Sequence, residues 1–473
     1  MQLARSLASS AALTLGLLAQ APLSPALLPY VKVHAANVAL THVRVIDGTG
    51  AAARDDQTVL LSGDRIAAIG SALPLPAGTQ QLDLSGRTVF PGLVGMHDHL
   101  FYPTGGGSGI YAELGFSAPK LYLAGGVTSL RTTGSIEPYT DLRLKQLIDA
   151  DAMPGPHLHV TGPYLEGAGA FTPQMHELRD AADARATVAF WADQGATSFK
   201  AYMHITRAEL AAAIAEAHRR GLKVTGHLCS IGAVEAAELG IDDLEHGLVV
   251  DTEFDPGKTS DVCPAQPVTV ATVGKLDVGG PQIQHTIQEL VSHHVAVTST
   301  LPVFETFTPN PPPLAARVLA SMTPEARLEY LATRMRLSAV KDSPYPAALA
   351  NEMRYERAFV KAGGLLLAGL DPTGYGGVVP GYGDQREVEL LVDAGFTPLE
   401  ALRIASANGA QFLGESDQIG TLAPGKRADL VVVRGNPAQK ISDIENVELV
   451  FKDGVGYDPA KLEAAAAGSV GLH

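Results

Sequence analysis

Cysteine is almost absent. Among 473 residues only Cys229 and Cys263 occur, too few for a disulfide framework or for a zinc site built from thiolates. Any metal must therefore be held by histidine and carboxylate. Basic residues are also scarce, with 35 Lys and Arg against 50 Asp and Glu and a formal charge of −15, so a phosphate-rich partner such as a nucleic acid is repelled by the overall field. A long apolar run is missing too. Residues 6–31 carry no charge, but the apolar piece from Leu13 to Ala19 behind Arg5 is short, and Pro22, Pro25 and Pro29 interrupt the residues after it. A membrane span needs about 20 mostly apolar residues, so no stable anchor is expected and the stretch reads as an export leader. Ala19-Gln20-Ala21 has the small-x-small cleavage pattern, though Pro22 comes directly after it, and Val33-His34-Ala35 is a second candidate. The first 35 residues are accordingly expected to lie outside the fold, and the mature protein to be exported, periplasmic or secreted. In an oxidising compartment Cys229 and Cys263 could pair, but nothing in the sequence brings them together. No repeat of fixed period occurs, and the only low-complexity tract, Ala464 to Ala467, reads as a frayed end.

The residues that are present suit a large folded core: 46% hydrophobic and 18% charged, with 49 Gly and 31 Pro. From residue 38 to 89 short strand-like pieces such as Val38-Ala39-Leu40-Thr41-His42-Val43-Arg44-Val45 are punctuated by glycines, and residues 420–455 have the same texture. Between these β-rich ends, apolar runs alternate with helical patterns, as parallel strands buried on both faces do. Strands are expected at 93–99, 127–132, 158–163, 197–202, 223–228, 243–246, 295–300 and 365–370. Eight such units predict an α/β fold, a (β/α)8 TIM-like barrel. Thr206-x-x-Glu209 reads as a capping box with Gly221 as the stop, and Thr397-Pro398-x-Glu400 starts a helix that Gly409 would end. Residues 251–281 and 302–313 lack periodicity and read as excursions over the barrel mouth. The expected domains are a leader at 1–35, a barrel at 91–414 between β-rich parts at 36–90 and 415–458, and a tail at 459–473.

Gly95-Met96-His97-Asp98-His99 carries the first chemistry, because strand alternation sends His97 and His99 to one face, where two imidazoles can share a metal. Asp98 should point the other way, toward the helices, as a hydrogen-bond partner. Lys200, His227, His246 and Asp371 each stand at the end of an otherwise apolar strand. Singly each has a structural explanation, but catalytic groups of such barrels sit where strands end, and together these converge on one mouth. Tyr202 shares a face with Lys200 and could donate to an oxyanion or make a structural bond. The Gly-rich run from Thr373 to Gly377 lacks the Lys and Ser/Thr pattern of a phosphate loop and reads as a substrate loop. His293-His294 reads as a helix end. Cys229 has no adjacent base that would make it a nucleophile.

The combination resembles the metal-dependent amidohydrolase superfamily, in particular its binuclear imidazolonepropionase-like and prolidase-like members. The resemblance implies that His97 and His99 bind one metal, that His227 and His246 bind a second, and that a carboxylated Lys200 bridges both. Asp371 would bind the first metal and shuttle a proton. It also implies that the two β-rich ends fold together as a small β-sandwich beside the barrel. Ala368-Gly369-Leu370-Asp371 departs from the family, which usually shows a small polar residue before this aspartate.

Chemistry agrees with the resemblance. Zinc accepts nitrogen and oxygen ligands when thiolate is lacking. A protonated lysine cannot bridge cations, whereas a buried neutral one can react with carbon dioxide to give a carbamate. Two divalent ions, most simply Zn2+, would supply a bridging hydroxide near neutral pH. The expected function is thus an exported amidohydrolase acting on a small-molecule amide, a dipeptide or N-acyl amino acid, with a homo-oligomer left open. The alternatives are a cyclic amide or an ester as substrate on the same site, one-metal deamination, and an exported metal-containing binding protein without catalysis.

Overall fold

The computed structural model describes residues 22–104 and 109–471. All eight expected barrel strands are present: Leu93–Gly95, Val127–Arg131, His157–His159, Ser198–Ala201, Lys223–Gly226, Asp243–Glu245, Ala296–Ser299 and Leu366–Ala368. They are shorter than the apolar runs because the last residues of each run bend out of the ladder. The first three pair in parallel, as do the last five. A parallel bridge between Thr161 and Ser198 joins the two groups on one side. On the other, Met96 N–H donates to the Ala368 carbonyl at 2.8 Å. Parallel strands separated by helices fit a TIM-like barrel. Nearly every strand residue is buried, as coverage by a packed interior and a helical layer requires.

Helix boundaries follow their caps. Thr206 and Glu209 form a reciprocal box at the start of Arg207–Arg219, and Thr397 and Glu400 do the same for Pro398–Arg403. Gly409 does not end the latter helix as expected. The chain continues through a π-helical stretch, Ile404–Asn408, into Gly409–Leu413 and stops at Gly414, whose φ is +75°. A Cβ on Gly409 would lie 2.7 Å from Val94 Cγ1, so this glycine serves close packing against the first barrel strand. The two aperiodic segments also hold helices, Gln266–Val273 and Leu301–Thr306. Their early prolines and β-branched residues hide the period, while Val270 and Leu301 are buried in the main core.

Strands from both chain ends belong to one nine-stranded sheet. Leu430–Arg434 pairs with Arg87–Pro91, which pairs with Asn37–Val45. Val38, Leu40, Val59, Val89, Leu430 and Phe451 share a core of their own. Two expectations about the termini need correction. Residues 22–35 are not outside the fold: Leu27 is 1% exposed, and Val31–Val33 pairs with Val455–Tyr457. The tail is not frayed either. Asp458 caps Pro459–Ala466, whose Leu462 and Ala466 are fully buried, because the alanine run offers a small apolar face that packs closely. The proposed leader core, Leu13 to Ala19, lies outside the described residues. Among those described, no helix is long and apolar enough to cross a membrane.

Candidate metal centre

The strand ends bring six widely spaced residues to one floor. His97 and His99 leave the Leu93–Gly95 strand on the same side, with ring centroids 5.2 Å apart. Donor atoms of His97, His99 and Asp371 lie within 4.8 Å of one another. Asp371 Oδ1 is 3.6 Å from His99 Nε2, and Oδ2 is 3.8 Å from His97 Nε2 and 3.9 Å from His246 Nε2. The His246 ring lies 4.5 Å from both the His97 and the His227 rings. Lys200, 1% exposed, places Nζ 3.1 Å from His97 Nε2. All six expected residues are therefore assembled.

Backbone geometry aims two of them. His246 has φ +71° and Asp371 has φ +52°, left-handed conformations that cost a non-glycine residue roughly 1 kcal/mol or more and persist where surroundings enforce them. The turn at Asp371 is fixed by its N–H donating to the His97 carbonyl at 3.0 Å, and the Thr373 hydroxyl donates to Oδ1 at 2.7 Å. Gly369 permits this approach, since a Cβ there would sit 2.3 Å from His97 Cβ.

Partners behind the rings decide which nitrogens face inward. His97 Nδ1 meets Glu245 Oε2 at 2.7 Å, His99 Nδ1 meets the Gly134 carbonyl at 3.2 Å, and His246 Nδ1 meets Thr300 Oγ1 at 2.7 Å. Each contact leaves Nε2 toward the centre, as imidazoles that bind metal are commonly oriented. Among the described residues His246 Nε2 is buried with no hydrogen-bond partner, which fits a group that binds a cation. Burial, then the neighbouring Lys200, holds His97 and His99 well below the usual imidazole range and takes His227 down to about 3, so all three rings are neutral. Burial brings the Lys200 amine down to about 8 and raises the Asp371 carboxyl to about 6. Neutral rings, an ionisable carboxylate and a lysine poised near neutrality fit a divalent metal centre.

Several contributors were not singled out from sequence. Glu245 accepts from Arg131 Nη2 at 3.0 Å, and Arg131 also meets Asp243 at 3.0 Å. The available clue was charge inside apolar strands, because a buried ion must be paired. Tyr164 approaches His99 Nε2 at 3.4 Å, and Phe101 stacks on His99 at 4.3 Å. Tyr202 lines the cavity with its ring 4.9 Å from that of His227. Asp98 turns away, where burial and then the nearby Asp384 of the outer helix Tyr382–Asp393 hold its carboxyl well above the ordinary range. Cys229 is joined to Cys263 in a disulfide, Cα–Cα 4.8 Å, which settles the open pairing and removes it as a nucleophile. His293 caps Pro281–Ser292, as expected. A second cluster, His157, Asp429 and Asp453, lies between barrel and end sheet. There His157 Nε2 lies 3.3 Å from Asp453 and 3.6 Å from Asp429, and Lys452 Nζ stands 3.0 Å from Asp453, an ion-paired junction.

A 34% identical stretch of 101 residues matches a deacetylase of Agrobacterium fabrum, covering 21% of this chain and 23% of that one. A 33% identical stretch of 93 residues matches an imidazolonepropionase of Paenarthrobacter aurescens, covering 20% and 22%. The chain thus spans under a quarter of the length of these relatives. In fold it is similar to a Xaa-Pro dipeptidase with methionine bound in its active site, at TM-score 0.66 and 18% identity over 89% of this chain and 100% of that one. The amidohydrolase family model matches residues 88–262 and 381–455, more than half of the chain, and the first of these segments contains His97, His99, Lys200, His227 and His246. On that match the chain belongs to the amidohydrolase family.

Proposed function

We propose that the protein hydrolyses a C–N amide bond at a binuclear metal centre held by His97, His99, Lys200, His227, His246 and Asp371. One observation carries this reading: Lys200, buried from bulk solvent, ends 3.1 Å from His97 Nε2 beside the clustered His97, His99 and Asp371 donors. An amine brought down to about 8 is substantially neutral at mildly alkaline pH and can add to carbon dioxide, releasing a proton and giving a carbamate. His97, His99 and Asp371 would hold one ion, His227 and His246 the other, and the carbamate both. Two zinc ions, when bound, would supply Lewis acidity and make water easier to deprotonate near neutral pH. Asp371, with a carboxyl near 6, accepts the proton of the attacking water and returns it to the departing nitrogen. Tyr202, on the cavity wall beside His227, is placed to donate to the developing oxyanion.

The wider reading includes a closed eight-stranded barrel, an end sheet folded over as a sandwich, and export by a leader within residues 1–21. Cleavage after Ala21 would spare Val31–Val33, which cleavage after Ala35 would remove. The test is Lys200→Ala, measured by metal analysis and by turnover of a small amide library. Expected are loss of the second metal equivalent and a fall in activity of more than about 100-fold. Two retained metals with full turnover would overturn the assignment.

A further inference from the structure

The cavity above the centre has a volume of about 410 Å³, room for a small organic substrate. Its walls are largely apolar and aromatic. Phe171, Tyr111 and Tyr202 stand on one side, with Phe171 ring-to-ring distances of 6.0 Å to Tyr111 and 5.8 Å to Tyr202. Phe304, Phe307 and Tyr375 stand on the other, with Phe307 and Tyr375 at 4.9 Å. Such walls accept a flat apolar group through burial and edge or face contacts.

Cationic groups are missing from these walls. Among the described residues no Arg or Lys lines the cavity above the centre, and residues 105–108 are Gly-Gly-Gly-Ser in sequence. Lys200 reaches only the floor, where the proposed function already uses it. Lys258, behind the Cys229 wall, donates to the carbonyls of Cys229 and Ser230 at 2.9 and 2.7 Å. Two wall hydroxyls are engaged, that of Thr252 donating to the Cys229 carbonyl and that of Thr269 to Asp255, and other wall donors, such as the Gln266 amide and the tyrosine hydroxyls, are neutral. A carboxylate carried into this space would lose its water and gain no ion pair.

From this we infer that the substrates are neutral amides bearing a flat apolar group and lacking a free carboxylate, in contrast to dipeptides and N-acyl amino acids. The inference rests on the hydrolase reading for its chemistry. Water adds across the C–N bond, the acyl carbon taking the hydroxyl and the nitrogen the proton.

Matched pairs test this on the metal-loaded enzyme: a simple acyl anilide against the same anilide with a para-carboxylate, assayed for kcat/KM. The neutral member should be preferred by at least about 30-fold, the range expected when a buried polar group is left unpaired. Equilibrium binding of the ketomethylene isosteres of both compounds, with CH2 in place of the amide nitrogen, should show the same order. Equal or tighter binding of the carboxylated isostere, or faster cleavage of the carboxylated anilide, would overturn the inference and leave the hydrolase reading intact. Preferential binding of the neutral isostere without cleavage of either anilide supports the inference and counts against the hydrolase reading.

Discussion

Glu245 touches no proposed ion, yet it sets the orientation of the centre. It receives His97 Nδ1–H at 2.7 Å and Arg131 Nη2 at 3.0 Å, all three side chains being buried. Burial opposes its charge, but Arg131 holds the carboxyl below the ordinary range, so the pair stays ionised and His97 keeps one tautomer. Glu245→Gln preserves the shape but lets the amide nitrogen face His97 and leaves Arg131 short of a counter-charge. Metal affinity should fall about 10- to 100-fold, as for other groups that orient metal ligands. Metal content after dialysis against graded chelator, with circular dichroism to confirm folding, measures this. Unchanged affinity would reduce Glu245 to a packing role.

At the scale of elements, the last barrel strand meets the first through a contact that tolerates no side chain. A Cβ at Gly369 would lie 2.5 Å from His97 N and 2.3 Å from His97 Cβ, backbone and near-backbone atoms that cannot rotate aside. Gly369→Ala should cost about 1–3 kcal/mol of stability through forced displacement, and metal should be lost with it because His97 must move. Thermal unfolding and metal analysis check both effects; a variant as stable and as metal-rich as the parent would show the strands free to separate. The barrel strands were legible because doubly buried runs such as Leu366–Ala368 are apolar throughout, and Thr206 with Glu209 announced its helix by a local hydrogen-bond pattern. His97 and His99 followed from alternation together with their place at the end of a strand, although the ladder itself stops at Gly95. His246 did not: beside Glu245 it would face away on a regular strand, and only its left-handed φ turns it inward. Contacts such as His97 with Glu245, 148 positions apart, leave no local trace. Gly409 looked like a stop because packing glycines and capping glycines are the same letter.

For the whole molecule, the junction of barrel and end sheet holds an ion-paired histidine. His157 Nε2, at the start of a barrel strand, lies 3.3 Å from Asp453 and 3.6 Å from Asp429 of the end sheet. Burial works against its charge, but the two carboxylates outweigh it and raise the pKa above the ordinary value. A raised folded-state pKa means that the stabilisation is complete below the unfolded value of about 6.5 and is lost as pH rises through the folded one. Wild type should therefore exceed His157→Gln in urea midpoint at pH 6, and the gap should close by pH 9. A gap independent of pH would refute a charged junction. The order of the end sheet has a further consequence. Val31 pairs with Tyr457, so an early strand has its neighbour near the other extremity of the polypeptide. At about 5–20 residues per second, translation delivers that neighbour roughly 20–85 s later. Until then the early strand's hydrogen-bonding edge is open to stray association, so the nascent chain needs protection during synthesis.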